Sequence, residues 1–325
     1  MPDAILVTGG AGFIGSHVCK ALGSRGYVPV TYDNLSRGHR EAVKFGPLEI
    51  GDIAHQDRLR DVFDRYQPIA VMHFAAFAYV GESVAQPLMY YGNNVGGSAA
   101  LLQAVIEHGP LPFVFSSTCA TYGVPERMPI TEDHQQRPIN PYGSSKLFVE
   151  RMLADLGVSH KLPWIALRYF NAAGSDPDGD IGEMHDPETH LIPLVLMAAR
   201  SGQPVQIFGT DYDTPDGTCI RDYIHVADLA DAHVRAIDYL IRGGRSGAFN
   251  LANARGYSIK EVIATAERVS GRPVPTKIAS RRSGDPPVLI GSAERATTEL
   301  GWKPMRSDLE LQITDAWNWI KTRNR

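Results

Sequence analysis

Residues 4–33, AILVTGGAGFIGSHVCKALGSRGYVPVTYD, decide how the rest of the chain is read. The apolar run Ala4–Thr8 predicts a strand. Glycines at 9, 10, 12 and 15 break it, and a helical pattern follows to about Arg25. A second apolar run, Val28–Tyr32, ends on Asp33, eighteen residues after Gly15. Gly10, Gly12 and Gly15 satisfy G-x-G-x-x-G, and Gly9, Gly12 and Gly15 the looser G-x-x-G-x-x-G. Such glycines let the backbone approach a pyrophosphate, and the helix that follows offers unpaired N–H groups and the positive end of its dipole. A carboxylate at the end of the second strand suits the adenosine ribose hydroxyls and repels a 2′-phosphate, so the expected cofactor is NAD rather than NADP.

Alternation continues along the chain. Leu48–Ile50 leads into Gly51-Asp52-Ile53, where Asp52 is a candidate for the adenine amino group or for capping the next helix. A helix is expected over about 56–66 and an apolar strand over 69–74. A long helix over 87–108 carries Asn93-Asn94 and Gly96-Gly97, and strand 112–115 delivers the hydroxyl-rich SSTCATYG at 116–123. Near-continuous apolar strands separated by helices mean a parallel sheet covered on both faces. The expected fold is therefore α/β, a doubly wound parallel sheet (Rossmann) with a second, smaller α/β lobe. A strand at 164–169 closes the first lobe, and the Asp, Gly, Pro and Glu-rich stretch 175–189 marks the boundary. We expect residues 1–174 to hold NAD and 175–325 the substrate, with about 219–251 returning to the first domain. The acidic stretch reads as solvated turn chemistry, and no metal is expected.

Composition narrows the function. With 43% hydrophobic residues, 21% charged and a net charge of -4, the chain has no basic excess for nucleic acid. Cys19, Cys119 and Cys219 are far apart and form no CxxC pair, which speaks against disulfides and zinc and for a reducing cytoplasm. The opening MPDAILVTGG has no basic segment and only a short apolar run, so neither a signal peptide nor a membrane anchor is expected.

Residues 141–146, PYGSSK, place a phenol and an ammonium four apart at the start of a helix, on one face. Tyr142 is a candidate base if the Lys146 charge pulls its pKa toward neutrality.

Taken together, TGGAGFIGSH (8–17), YDNL (32–35), GDI (51–53), HFAA (73–76), VGES (80–83), NNVGG (93–97), SSTCATYG (116–123), PYGSSK (141–146), RYFNAAG (168–174), RDYIHVADLADAH (221–233) and RRSGD (281–285) resemble the extended short-chain dehydrogenase/reductase superfamily. Within it they resemble the UDP-galactose (UDP-glucose) 4-epimerases, over nearly the whole chain. The resemblance implies that Tyr142 is the acid/base, that Lys146 holds it and the nicotinamide ribose, and that Thr118 hydrogen-bonds the sugar O4. It implies an NAD site of Gly9, Gly12, Phe13, Ile14, Asp33, Asn34, Asp52, Ile53, Phe74, Ala75, Ala76, Asn94 and Phe170 with Tyr142 and Lys146. Asn171, His190, Leu191, Phe208, Arg221, Arg282 and Asp285 would hold the UDP-sugar, together with Thr118 and Tyr142. Two arginines suit a pyrophosphate, which a guanidinium can grip through two parallel bonds. A homodimer, paired through helices near 90–108 and 142–157, is implied as well.

Some positions depart from the enterobacterial pattern of that family. Ala78 replaces a lysine, His190 an asparagine, and Leu289 stands where residue size tunes the sugar accepted. The 73–83, 116–123 and 128–143 regions also resemble UDP-xylose/UDP-arabinose 4-epimerases, which is the alternative substrate reading. A nucleotide-sugar dehydratase would carry an Asp-Glu pair where Cys119 and Ala120 stand, and a decarboxylase would recognise a sugar carboxylate. A non-catalytic NAD-sensing regulator would have no use for Tyr142, Lys146 and Thr118 together.

Overall fold

A computed structural model describes residues 2–282 and 285–323, so Ser283 and Gly284 of the RRSGD motif lie outside the described residues. The chain runs β1 Ala4–Thr8, α1 Phe13–Ser24, β2 Val28–Asp33, β3 Leu48–Ile50, α2 Gln56–Tyr66 and β4 Ala70–His73. It continues through α3 Val80–Ala85, α4 Pro87–Tyr90, α5 Ser98–His108, β5 Phe113–Thr118, α6 Pro141–Ser159, β6 Trp164–Tyr169 and β7 Asn171–Ala173. Next come α7 Leu191–Ser201, β8 Val205–Phe208, β9 Ile220–His225, α8 Val226–Ile241, β10 Gly247–Leu251, β11 Gly256–Ser258 and α9 Ile259–Ser270. β12 Thr276–Ala279, β13 Val288–Leu289, α10 Glu294–Leu300 and α11 Leu309–Thr322 complete it.

The expected doubly wound sheet is present, with seven strands in the order β10-β6-β5-β4-β1-β2-β3. All its pairs are parallel. Such strands cannot be joined by tight turns, so helices cover both faces. Ile5, Val7, Ile165 and Leu167 pack against α1 and α8 on one side. Leu6, Val71, Phe113 and Phe115 pack against α2, α5 and α6 on the other. After β3 the chain crosses to the far side of β1 to form β4, and this reversal opens a crevice beyond the carboxyl ends of β1 and β4. Register brings those ends level: Thr8 pairs with Tyr32 and His73, and Thr118 with Tyr169. The residues that follow each strand therefore share one edge.

β10 pairs with β6 inside the large sheet, and α8 packs with α1, although both come late in the chain. A smaller sheet of β11, β9, β13 and β7 and a ribbon of β8 with β12 belong to the second part. There Ile192, Leu196, Ile313 and Trp317 form a separate core between α7, α9 and α11. The strands at 256–258, 276–279 and 288–289 are too short for periodicity to reveal.

The helix expected over 87–108 is interrupted. Residues Tyr91–Gly97 form a π-helical turn between α4 and α5. Asn94 explains it: its amide bonds the Phe77 N–H (2.8 Å), the Phe77 carbonyl (2.9 Å) and the Ser145 hydroxyl (3.0 Å). Such single wide turns occur mostly at functional sites.

Candidate active site

The crevice is one continuous cleft of about 1580 Å³. Its first wall is the turn after β1. A side chain on Gly9 (φ +74°) would strike the Ala75 backbone at 2.5 Å, so that turn packs directly against the end of β4. At Gly12 only the Gly9 carbonyl lies near the missing Cβ, at 3.3 Å, and no side chain caps α1 there. The result is a cradle of bare backbone at a helix N-terminus, which fits the pyrophosphate of a dinucleotide.

Asp33 ends β2, accepting from the Ala11 N–H (3.0 Å) and the Leu35 N–H (2.8 Å), and burial pushes its carboxyl above the usual range. Phe13, Ile14, Asn34, Ile53, Phe74, Ala75, Ala76 and Phe170 line the same cleft. Two residues of the expected NAD set do not. Asn94 is 1% exposed, its amide committed to Phe77 and Ser145, so it braces the wall from behind. Asp52 accepts from Asn34 Nδ2 (2.8 Å) and the Ala54 N–H (2.9 Å), while α2 is capped at His55. It shapes the rim, a two-residue turn rather than a helix cap.

The opposite wall carries Thr118, Tyr142 and Lys146. Asn140 accepts the Gly143 N–H at 2.8 Å and Pro141 opens α6, which fixes the helix start. A Cβ on Gly143 would meet the Ala120 carbonyl at 2.5 Å, so glycine lets the first turn of α6 lie directly on the loop after β5. Lys146 is 3% exposed and donates to the Ser116 carbonyl at 2.8 Å. Its ammonium stands 4.9 Å from the Phe115 ring centre and 6.0 Å from that of Tyr142.

The electrostatics differ from the sequence expectation. Burial pushes the Tyr142 phenol up to about 12, opposed by the Thr118 hydroxyl, and Lys146 supplies no offsetting pull. Burial also lowers Lys146 to about 7, opposed by the Glu150 carboxylate one turn further along α6. A lysine that burial drives toward its neutral form has less charge with which to favour the phenolate.

Glu150 belongs to a network that residue reading missed. Arg168 clamps it through Nε (2.9 Å) and Nη2 (2.5 Å), Ser117 donates to it, and Arg168 Nη1 reaches the Tyr122 hydroxyl at 2.8 Å. The signal was present in the i, i+4, i+8 stripe Tyr142, Lys146, Glu150.

The far end of the cleft is lined by Asn171, His190, Leu191, Phe208, Arg221, Arg282, Asp285 and Leu289. Arg221 pairs with Asp285 at 2.5 Å, and the Arg282 guanidinium lies 4.0 Å from the centre of the Phe208 ring. Asn171 Nδ2 donates to the Asp222 carbonyl at 2.8 Å. His190 stands just before α7, without a side-chain cap, and pairs through Nδ1 with Glu183, which also contacts His185. The Glu183 carboxylate raises the pKa of His190 against its burial.

Comparison with known proteins agrees with this layout. Residues 5–252 match the model of the NAD dependent epimerase/dehydratase family. The UDP-glucose 4-epimerase of Rhizobium meliloti (strain 1021) is 53% identical over 324 residues, 99% of this chain and 98% of that protein. The crystal structure of UDP-glucose 4-epimerase from Brucella ovis in complex with NAD is 52% identical, covering 97% of this chain and 98% of its own, with TM-score 0.94. A Stenotrophomonas maltophila UDP-glucose-4-epimerase with bound NAD and formylated UDP-arabinopyranose is 39% identical over 99% of each chain, TM-score 0.96. These matches run over nearly the full length of known enzymes, and the chain belongs to the NAD dependent epimerase/dehydratase family.

Proposed function

We propose that the chain inverts C4 of a UDP-hexose, interconverting UDP-glucose and UDP-galactose. Tyr142 acts as acid/base, Thr118 as the hydroxyl partner of the sugar O4, and Lys146 as the group that positions Tyr142 and the nicotinamide ribose. The supporting observation is that these three side chains and the two arginines line a single cleft. Bound NAD supplies reversible two-electron oxidation of C4, through a 4-keto sugar, together with a positive ring charge. Tyr142, its phenol held up by burial, needs such a charge to work as a base near neutrality. It takes the O4 proton directly or through Thr118 and returns it to O4 when C4 is reduced, on whichever face the hydride arrives.

Returning hydrogen to the opposite face requires the sugar to turn while the nucleotide stays fixed. Arg221, held by Asp285, and Arg282, stacked on Phe208, suit the diphosphate. Leu289, Cys119 and Ala120 line the cleft without charge and leave a sugar free to rotate. Cys119 and Ala120 also leave the site without the acid pair of a dehydratase.

The 1–174 part, joined by α8 and β10, would bind the dinucleotide, and the rest of 175–325 the UDP-sugar. A homodimer through the helices near 90–108 and 142–157 is supported by the exposed Phe148 on the second (42%) and by Val84 and Leu88 just ahead of the first (64% and 83%). Among the described residues no helix is long and apolar enough to cross a membrane. The three free cysteines suit a cytoplasmic location.

A product assay on UDP-glucose, UDP-galactose, UDP-N-acetylglucosamine and UDP-xylose side by side tests the reading. Turnover of the first two without added or consumed NAD is expected; stoichiometric NADH release contradicts it. The relative bound to formylated UDP-arabinopyranose favours pentoses as the second reading. Faster turnover of UDP-xylose than of UDP-glucose would select it.

A further inference from the structure

The strap between β7 and α7 gathers four potential ligands at the cleft edge. Glu183 Oε1, His185 Nδ1, Glu188 Oε1 and His190 Nδ1 all lie within 4.8 Å of one another. Glu183 and His185 approach to 2.8 Å, His185 and Glu188 to 3.8 Å, and Glu183 contacts His190 directly. The two carboxylate side chains are only 5% and 9% exposed. Among the described residues no lysine or arginine pairs with either, so the imidazoles are their only countercharge.

One atom stands out. His185 Nδ1 is buried and makes no aligned hydrogen bond, although a carboxylate oxygen sits 2.8 Å away. A ring nitrogen and a carboxylate oxygen this close, with no aligned N–H between them, can both face a shared third partner.

The rings are held in place before any ligand arrives. His185 is packed edge-on by Phe13 (6.2 Å), Tyr79 (5.7 Å) and His190 (5.0 Å). Trp319 Nε1 donates to the Glu183 carbonyl at 3.0 Å, and His39 Nε2 bonds the Met184 carbonyl at 2.7 Å. Glu188 Oε1 is held by the Thr189 and His190 N–H groups at 2.7 and 2.8 Å. Bonds of about 2.1 Å in a tetrahedral site put ligands roughly 3.4 Å apart, within the spread seen here.

We propose that Glu183, His185, Glu188 and His190 bind one divalent transition metal of the zinc class, which fastens the strap to the first turn of α7. Two imidazole nitrogens favour Zn²⁺, Co²⁺ or Ni²⁺ over Mg²⁺ and Ca²⁺, which prefer oxygen alone. Four protein ligands close a tetrahedral shell, so the ion is structural and His190 Nε2 stays available to the cleft.

The test uses the untagged, NAD-containing chain, cleared of metal by a chelator and dialysed against micromolar Zn²⁺. One Zn²⁺ per chain is expected by elemental analysis, with a higher unfolding temperature that the chelator reverses. Co²⁺ in its place should give the intense visible absorption of a tetrahedral site. His185→Gln and Glu183→Gln should weaken binding roughly 100-fold or more. Retained NAD shows that each variant is folded, and His190→Asn serves as a third variant if one is not. No bound Zn²⁺ after dialysis, or equal binding by wild type and variants, overturns the proposal and leaves a plain imidazole–carboxylate cluster.

Discussion

The Lys146 ammonium stands 6.0 Å from the centre of the Tyr142 ring and gives its hydrogen bond to the Ser116 carbonyl, at 2.8 Å. The two residues share a helix face, as their spacing requires, but the lysine is tied to the strand end. It ties the first turns of α6 to the carboxyl end of β5.

On the proposed mechanism, Tyr142→Phe removes the proton-transfer group and little else. We expect kcat to fall by on the order of 10² to 10⁴. Bound NAD, measured after denaturing the protein, should stay near one per chain. Loss of NAD with activity would mean that the ring serves binding rather than chemistry.

The buried Lys146 makes stability depend on pH. Burial brings it from 10.5 down to about 7, whereas in the unfolded chain it holds its proton to about pH 10. Between about pH 7 and pH 10.5 the unfolded state binds more protons, so this group's contribution to stability rises with pH and is lost as pH falls through about 7. In the cofactor-free chain, Lys146→Met should exceed wild type in stability most at about pH 6 and by a shrinking margin toward pH 10. Urea denaturation across that range reads it, and a pH-independent margin would refute the assignment.

Glu150 and Arg168 are 5% and 6% exposed and bond each other twice or more. Arg168→Leu leaves a buried carboxylate without a counter-ion, at about 3–5 kcal/mol. Replacing Glu150 by Leu as well should recover much of that loss. Additive losses in a double-mutant cycle would show that the pair does not interact.

Lys20 on α1 reaches Asp176, Asp178 and Asp180 at 2.7, 2.7 and 2.9 Å, and so pins the strap with an internal cation. Lys20→Met leaves three carboxylates facing one another. A loss of about 1–2 kcal/mol is expected, because Asp176 is buried while the other two are wet. Limited proteolysis should cut within 175–190 sooner than in wild type; an unchanged pattern would count against the pin.

Much of the site was legible locally. The Gly9–Gly15 turn, the carboxylate of Asp33 and the Tyr142–Lys146 spacing lie within a few turns of chain, where backbone stereochemistry and hydrophobic period leave little choice. Asn94 bonds Phe77 and Ser145, a direction that spacing does not reveal, since a side chain on a helix can face a ligand or a neighbouring segment. The phenol's charge state cannot be read from spacing, because a pKa depends on how much water remains once the sheet edge closes around it.

From sequence alone, then, came the parallel doubly wound sheet, the glycine turn and strand-end carboxylate, and the Tyr142–Lys146 pair on one face of α6. These follow from alternating strand and helix periods and from glycines where a side chain would collide. Only the tertiary structure joined Glu150 to Arg168, set three aspartates around Lys20 and drew two histidines and two glutamates together on one strap. Those pairings rest on which distant segments the closed cores press together, and no short stretch of chain holds that information.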